Sequence, residues 1–139
     1  MKGRGKYMCL FCNIISGKQP AHMIYENDLV YCFLDKYPIN QGHILVVPKK
    51  HYQEFSEVDS ESLAEVMISA QKMSRLLEKT FNTDGITVLQ DNGVFKDVEH
   101  YHLHIFPRYI EDGFSWIEPK VDIQENDFKN VAGALKKYL

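Results

Sequence analysis

The segment that most constrains the fold is 99–108, EHYHLHIFPR, in which three histidines alternate with apolar or aromatic residues. Successive side chains of a β-strand point to opposite faces of its sheet. A strand here places His100, His102 and His104 on one face and an apolar row containing Leu103 and Ile105 on the other. We expect the apolar row to contact the core. The histidine face is expected to serve a function, because histidine is costly to bury without polar partners.

Hydrophobic periodicity places the other elements around this strand. Four further strands are predicted, at 22–27, 29–35, 43–49 and 85–91. A stripe of apolar residues at helical spacing predicts a long helix over 60–81, with Ser60 as its cap. A short helix over 10–18 and a C-terminal helix from about residue 125 complete the set. This order lacks regular βαβ alternation. We therefore predict an α+β fold, with a mainly antiparallel five-stranded sheet, one long helix, a short N-terminal helix and a C-terminal helix.

Length and composition predict one ordinary globular domain. The chain has 139 residues, of which 45% are hydrophobic and 25% charged, and its net charge is −3. No basic stretch favours nucleic acid, and no apolar run reaches the roughly 18 residues of a membrane span. No signal-peptide pattern is visible, so we expect a cytoplasmic location. Residues 1–8 are expected to form a flexible N-terminus, 9–109 the functional domain, and 110–139 an extension packed on that domain.

Two cysteines at C-x-x-C spacing, Cys9 and Cys12, indicate a metal site. Thiols stay reduced in the cytosol, and thiolates are ligands of tetrahedral zinc. His51 and one histidine of the alternating row would complete a Cys2His2 set. Three alternating strand residues span about 13 Å, which is long for one ion, so division of labour among the histidines is the better interpretation. Cys32 stands alone in a predicted strand and is interpreted as a small buried hydrophobe.

Taken together, these motifs resemble the histidine triad (HIT) family. HYHLHIF matches its His-x-His-x-His pattern. CLFCNIISGKQPAHMIYEND, FLD, GHILVVPKKH and HIFPRY resemble, in the same order, stretches of its bacterial Hint-like branch. The resemblance covers about residues 9–109 and implies a nucleotide hydrolase or transferase. Such an enzyme acts on an α-phosphate through a nucleotidyl-histidine intermediate and releases an NMP, here expected to be AMP.

The resemblance also implies roles for particular residues. His102 would be the nucleophile, and His104 would contact the phosphate or the leaving group. Structural zinc would be bound by Cys9, Cys12, His51 and His100. A purine nucleotide would be bound by Leu10, Phe11, Ile14, Phe33, Asp35, Leu45, Asn92 and Lys96. Asp35 has an alternative role as a cap of the following turn, and His22 and His43 are interpreted as structural. Family members usually form homodimers, here through the predicted long helix and the neighbouring sheet edge.

The run before the histidines departs from the family pattern. Members usually carry a Gly-rich stretch that ends in Gly-Gln-Ser or Gly-Gln-Thr and surrounds the phosphate. DNGVFKDVEH has no glycine after Gly93, and Lys96 and Asp97 occupy the positions expected for Gln and Ser or Thr. Lys96 is expected to contact phosphate, whereas Asp97 adds negative charge unless it turns away or accepts from a donor such as His104. Two alternatives therefore remain: a nucleotide-binding regulatory module with little turnover, and a metalloenzyme whose triad binds a catalytic metal.

Overall fold

The computed structural model describes residues 9–139, so the expected flexible N-terminus lies outside the described residues. The strands are β1 (Met23–Glu26), β2 (Val30–Leu34), β3 (Ile44–Pro48), β4 (Gly85–Leu89) and β5 (Leu103–Arg108). The helices are α1 (Leu10–Ile15), α2 (Ser60–Thr80) and α3 (Glu125–Lys136), with short 3-10 turns at Phe55–Glu57 and Gly93–Phe95. The predicted α+β fold is confirmed. None of the helices within 9–139 is both long and apolar enough to cross a membrane.

The sheet has the strand order β1-β2-β3-β5-β4, and every neighbouring pair is antiparallel. The last strand in the sequence therefore lies inside the sheet. His104 pairs with Leu45 on one side and with Leu89 on the other. A residue with a strand on each side is held firmly by two hydrogen-bonded ladders. The sheet thus provides a rigid mount for the third histidine.

The strand that carries the histidines begins later than predicted, at Leu103 instead of residue 99. Its pairing with β3 ends at Val46 and Leu103. Beyond this point Pro48 has no N–H to donate, and its carbonyl oxygen accepts from the ring of His100 instead of from a strand. His100 and His102 therefore lie just before β5.

Helix α2 covers one face of the sheet, as the apolar row predicted. Its buried side chains include Val66, Ala70, Met73 and Leu77, and they share a cluster with the row of β5 side chains. The cap is Asp59 and not the predicted Ser60, because the Asp59 carboxylate accepts from the Ser62 N–H at 2.8 Å. The opposite face is left for α1 and the histidines.

The C-terminal extension divides at Phe114. The Phe114 ring packs edge-on against Phe106, with 5.5 Å between ring centroids. Every residue from 115 to 139 is exposed, and α3 buries none of its side chains on its own chain. The structure thus departs from the expected packing of 110–139 on the domain beyond Phe114. Within residues 9–139, the apolar side of α3, which includes Phe128 and Val131, stays more than half exposed.

Candidate active site and metal centre

Four side chains from separate parts of the chain converge beside α1. They are Cys9, Cys12, His51 and His100, and their ligand atoms all lie within 4.8 Å of one another. The Cys9 Sγ lies 3.4 Å from the His100 Nδ1, and the Cys12 Sγ lies 3.3 Å from the His51 Nδ1. Ligands about 2.0–2.3 Å from a tetrahedral zinc lie about 3.3–3.8 Å apart. Two soft thiolates and two imidazoles at this spacing fit zinc.

The ring of His100 is oriented for this role. Its Nε2 lies 2.8 Å from the carbonyl oxygen of Pro48, which can only accept, so Nε2 carries the proton and Nδ1 faces the cysteines. Burial lowers the pKa of His100 to about 4, so the ring is neutral, as a metal ligand must be. The backbone N–H of Cys12 also donates to the Cys9 Sγ at 3.3 Å. The site is therefore supported by a second layer of hydrogen bonds.

His102 lies beside this cluster with its ring fixed from one side. Its Nδ1 is 2.6 Å from the backbone carbonyl oxygen of His100, so Nδ1 donates, and in the neutral form of the ring the lone pair lies on Nε2. The ring is buried and meets Phe11 edge-on, with 5.0 Å between centroids. A neutral imidazole held in one tautomer can act as a nucleophile. The geometry therefore makes Nε2 the candidate attacking atom.

A fourth histidine, which the sequence analysis interpreted as structural, supports His104. The Ile39 N–H donates to the His43 Nδ1 at 3.0 Å, so His43 carries its own proton on Nε2. This Nε2 donates to the His104 Nδ1 at 2.9 Å and also lies 3.4 Å from an Asp35 oxygen. His104 is therefore left with its proton on Nε2, beside the ring of His102. The sequence could have indicated this role, because His43 lies two residues before Leu45, a predicted pocket residue, and therefore on the same face of the predicted strand.

Both histidines of this pair are neutral near pH 7. Burial lowers the pKa of His43 to about 4, against the opposing effect of the Asp35 carboxylate. Burial also lowers the pKa of His104, and the neighbouring His102 acts in the same direction. The site can therefore offer an N–H donor from His104 without placing a positive charge there.

The predicted apolar pocket residues fall into one cluster with a single exception. Phe11, Ile14, Phe33 and Leu45 are buried together on the histidine side of the sheet, whereas Leu10 is 44% exposed. Phe11 and Phe33 meet edge-on, with 5.3 Å between ring centroids. The cluster abuts the candidate nucleophile, because the Phe11 ring also meets that of His102.

Asp35 lies at the end of this pocket and is already engaged. Its Oδ1 accepts from the Tyr37 N–H at 2.8 Å, as the turn-capping alternative predicted. Its Oδ2 lies 3.4 Å from the His43 Nε2 and 3.8 Å from the His104 Nδ1. The same carboxylate therefore caps a turn and stands beside the histidine pair.

In the loop before the histidines, two predicted substrate contacts have partners within the protein. The Lys96 Nζ is bound by Glu54 at 2.6 Å, by Glu99 at 3.2 Å, and by the backbone oxygen of Gln53 at 3.0 Å. The Asn92 Oδ1 accepts from a backbone N–H of the first 3-10 turn at 2.8 Å. Both side chains hold the loop on the segment 53–57. Their partners lie some forty residues away in the sequence: the Glu54 carboxylate binds Lys96, and the Phe55 N–H donates to Asn92.

Asp97 takes a position that the sequence did not predict. Its Oδ1, which as a carboxylate oxygen only accepts, lies 3.1 Å from the Nε2 of His102, the candidate attacking atom, rather than pairing with His104. This hydrogen bond requires a proton on Nε2, and that proton must leave before Nε2 can attack. The Asp97 side chain is 75% exposed. The carboxylate therefore stands where a phosphorus atom would approach the nucleophile, and it is free to rotate into solvent.

Comparison with known proteins decides the family. Residues 16–111 match the model of the HIT domain. The chain belongs to the HIT family. A HIT-like protein of Methanocaldococcus jannaschii is 44% identical over 76% of this chain and 83% of its own length. The crystal structure of a HIT family member from Bacillus subtilis superimposes with a TM-score of 0.88 at 34% identity, covering 95% of this chain and 97% of that one.

Three further HIT relatives carry functional names. The adenosine 5′-monophosphoramidase HNT1 of Candida albicans is 30% identical over 84% of this chain and 83% of its own. The adenylylsulfatase HINT3 of Arabidopsis thaliana is 34% identical over 75% of this chain and 54% of its own. A zinc-bound histidine triad protein from Mycobacterium smegmatis superimposes with a TM-score of 0.74 at 30% identity, covering 96% of each chain.

Proposed function

We propose that this HIT protein releases AMP from a nucleoside phosphoramidate or a related α-phosphate ester through a covalent intermediate on His102. The observation that carries the proposal is the hydrogen bond from the His102 Nδ1 to the His100 carbonyl oxygen. It leaves Nε2 as the attacking atom and stabilises the charge that the ring gains when phosphorus binds. The names of the Candida and Arabidopsis relatives support the same reaction class.

The reaction would proceed in two balanced steps. The His102 Nε2 attacks the α-phosphorus and forms a P–N bond, while the bond to the leaving group breaks and its electron pair goes to the leaving atom. That atom takes one proton from solvent. Water then attacks phosphorus, breaks the P–N bond, returns one proton to solvent and releases AMP. His104 stays neutral and donates a hydrogen bond from Nε2 to a phosphoryl oxygen.

The remaining predicted residues would bind the nucleotide and a metal. We propose that the cluster around Phe11 and Phe33 packs against a purine nucleoside, with Asp35 accepting from ribose hydroxyls through its remaining lone pairs. We also propose that the Cys2His2 set binds a structural zinc. With four protein ligands the zinc would have no bound water to activate, and it would instead fix the segments that carry its ligands relative to one another. It would thereby position His100, whose carbonyl oxygen orients the nucleophile.

The direct test is AMP release from adenosine 5′-phosphoramidate, followed by chromatography. His102→Ala should abolish release, and acid-free quenching of the active protein should trap an adenylyl adduct visible by mass spectrometry. His22→Ala is the matched control, since His22 is exposed and far from the triad in sequence. Equal release by His102→Ala and the unaltered protein would contradict the proposal.

One observation favours the second candidate, a nucleotide-binding module with little turnover. Asp97 occupies the approach to His102, and Lys96 is engaged elsewhere, so the loop supplies no cation to the phosphate. Calorimetry with AMP distinguishes the two candidates: tight binding with negligible turnover favours the module. The metalloenzyme alternative has less support, because the Nδ1 of His100 faces the cysteines and that of His104 accepts from His43.

We further propose that two copies of the chain associate. Met67 and Ile68 on α2 are about half exposed, β4 is an edge strand of the sheet, and the apolar side of α3 is uncovered. A second copy of the chain would cover these surfaces. Sedimentation velocity should give a dimer, and Ile68→Asp should shift it toward monomer; a monomeric unaltered protein would refute the pairing.

A further inference from the structure

The loop that carries Asp97 is clamped by charge. Glu54 accepts from the Lys96 Nζ through one oxygen and from the Gly93 N–H, at 3.0 Å, through the other. Glu99 also pairs with Lys96 at 3.2 Å. The backbone before Asp97 is therefore tied to the segment 53–57 at Gly93 and Lys96. When a substrate arrives, Asp97 can move away from the His102 Nε2 by rotation of its side chain, without movement of the loop.

The rotated carboxylate stays beside the reacting group. Attack requires phosphorus at about 3–3.5 Å from the nucleophilic nitrogen, which is the distance that the Asp97 oxygen now occupies at 3.1 Å. Because the side chain is largely exposed, it rotates toward solvent. The cluster on which the nucleoside would pack is buried, whereas Asp97 is largely exposed, so we place the leaving group toward solvent. Asp97 and the leaving group therefore share the open side of the site.

The charges around the triad determine how Asp97 would affect a nearby leaving group. In the part of the chain that the structure describes, Asp35 and Asp97 pair with histidines and not with lysine or arginine. The site thus presents two carboxylates, and no lysine or arginine paired with them, to a substrate that is itself anionic. An anionic leaving group would add a repulsive charge, and a cationic one would compensate for the carboxylate.

We propose that Asp97 is a specificity-determining residue that favours leaving groups bearing a positive charge, such as an amine with a second ammonium group, over neutral and anionic ones. The proposal rests on the proposed AMP-releasing function and names its substrate class. Asp97 recognises the cation by charge pairing on the open side of the site. Leaving groups such as sulfate or a second phosphate are disfavoured by the same carboxylate.

The test uses three adenosine 5′-phosphoramidates of similar size. Their amines are ethylenediamine, ethanolamine and glycine, which present an ammonium, a hydroxyl and a carboxylate. We expect kcat/KM to fall in that order. Asp97→Asn should reduce the ammonium-to-carboxylate ratio about fivefold, as the loss of one exposed charge pair predicts. Asp97→Glu should retain the order, and added salt should weaken it.

Asp91→Asn is the matched control, because this exposed carboxylate also acts on His104 through space but makes no contact with His102. It should leave the ratio within about twofold, since a screened distant charge contributes little. If Asp91→Asn reduced the ammonium-to-carboxylate ratio as much as Asp97→Asn, the selection would come from the overall negative charge around the site, and the proposal would be overturned. An Asp97→Asn variant that gains equally on all three substrates would also overturn it, because Asp97 would then only obstruct the nucleophile. An Asp97 effect seen only with added Mg²⁺ would assign the carboxylate to a metal instead.

Failure of the proposed function is separable from failure of this inference. Calorimetry of the same three compounds with His102→Ala measures binding without turnover. The order of affinities should persist and should collapse in the His102→Ala, Asp97→Asn double variant. If the unaltered protein binds in this order but hydrolyses none of the compounds, the AMP-releasing function is wrong and the charge selection stands. If binding shows no order, the charge selection is wrong.

Discussion

The triad is held from two sides by regions of opposite character. On one side, Cys9 and His100 belong to a buried cluster of neutral or metal-binding groups. On the other, an ion pair between the Lys96 ammonium group and the partly exposed Glu54 holds the loop 91–99. Metal ligands tolerate little substitution, whereas an ion pair with a partly exposed partner can be exchanged at smaller cost. We infer that the Cys2His2 cluster maintains the structure of the site, whereas the loop 91–99 affects which substrates the site binds.

Removing one zinc ligand should have the largest effect. Cys12→Ser should reduce bound zinc, measured by atomic emission, from one per chain to a small fraction, because the site loses a thiolate. Thermal unfolding should show a destabilisation of several kcal/mol, since binding of a structural metal contributes to folding free energy. Cys32→Ala is the control, because Cys32 lies in the core, away from the cluster. A Cys12→Ser protein with full zinc would refute the assignment.

Breaking the support of His104 should impair activity without loss of zinc. His43→Ala leaves the His104 Nδ1 without its donor, so the ring no longer holds its proton on Nε2. We expect kcat for AMP release to fall roughly ten- to hundredfold, the range of a misplaced proton donor. Zinc content should not change. If kcat is unaltered, the chain of hydrogen bonds that runs from the Ile39 N–H through His43 to His104 has no role in the reaction.

The buried histidine also predicts a pH dependence of stability. The pKa of His43 is about 6.5 in the unfolded chain and is lowered by burial to about 4 in the folded protein. Between these values the unfolded chain binds more protons at this position than the folded protein does. The contribution of neutral His43 to stability is therefore complete above pH 6.5 and is lost as the pH falls toward 4. Denaturant midpoints measured from pH 7.5 to 4.5 should decline less steeply for His43→Gln. Parallel pH profiles for the two proteins would contradict this assignment.

The smallest effect is expected from the charge clamp. Glu54→Gln removes the charge that pairs with Lys96 and gives the Gly93 N–H a weaker hydrogen-bond acceptor. The melting temperature should change by only about 1–2 °C, since glutamine keeps one acceptor oxygen and ion pairs with a partly exposed partner contribute little. Amide exchange of residues 91–99 should nevertheless become faster, while the cluster around Cys9 keeps its protection. Equal acceleration in both regions would show that the two sides of the triad are not independent.

Much of the candidate site followed from local pattern. Alternation placed the histidines on one face, and the C-x-x-C pair with His51 indicated the metal ligands, because strand parity and ligand spacing are short-range properties. The ion pair of Lys96 was not predicted, because its partner Glu54 is distant in the sequence. His43 was missed because its position on the same strand face as Leu45 did not identify its partner, His104, which lies 61 residues away in the sequence.

By itself the sequence determined the fold class, the apolar row that seats α2 and the residue types able to bind zinc or attack phosphorus. These follow from periodicity and side-chain chemistry, which act over a few residues. Only the tertiary structure decided which nitrogen of His102 is bound to the backbone, which donor orients His104, and that Asp97 lies beside the other nitrogen of His102. Those facts depend on distances of about 3 Å between groups far apart in the chain, and hydrogen bonds are specific at that scale.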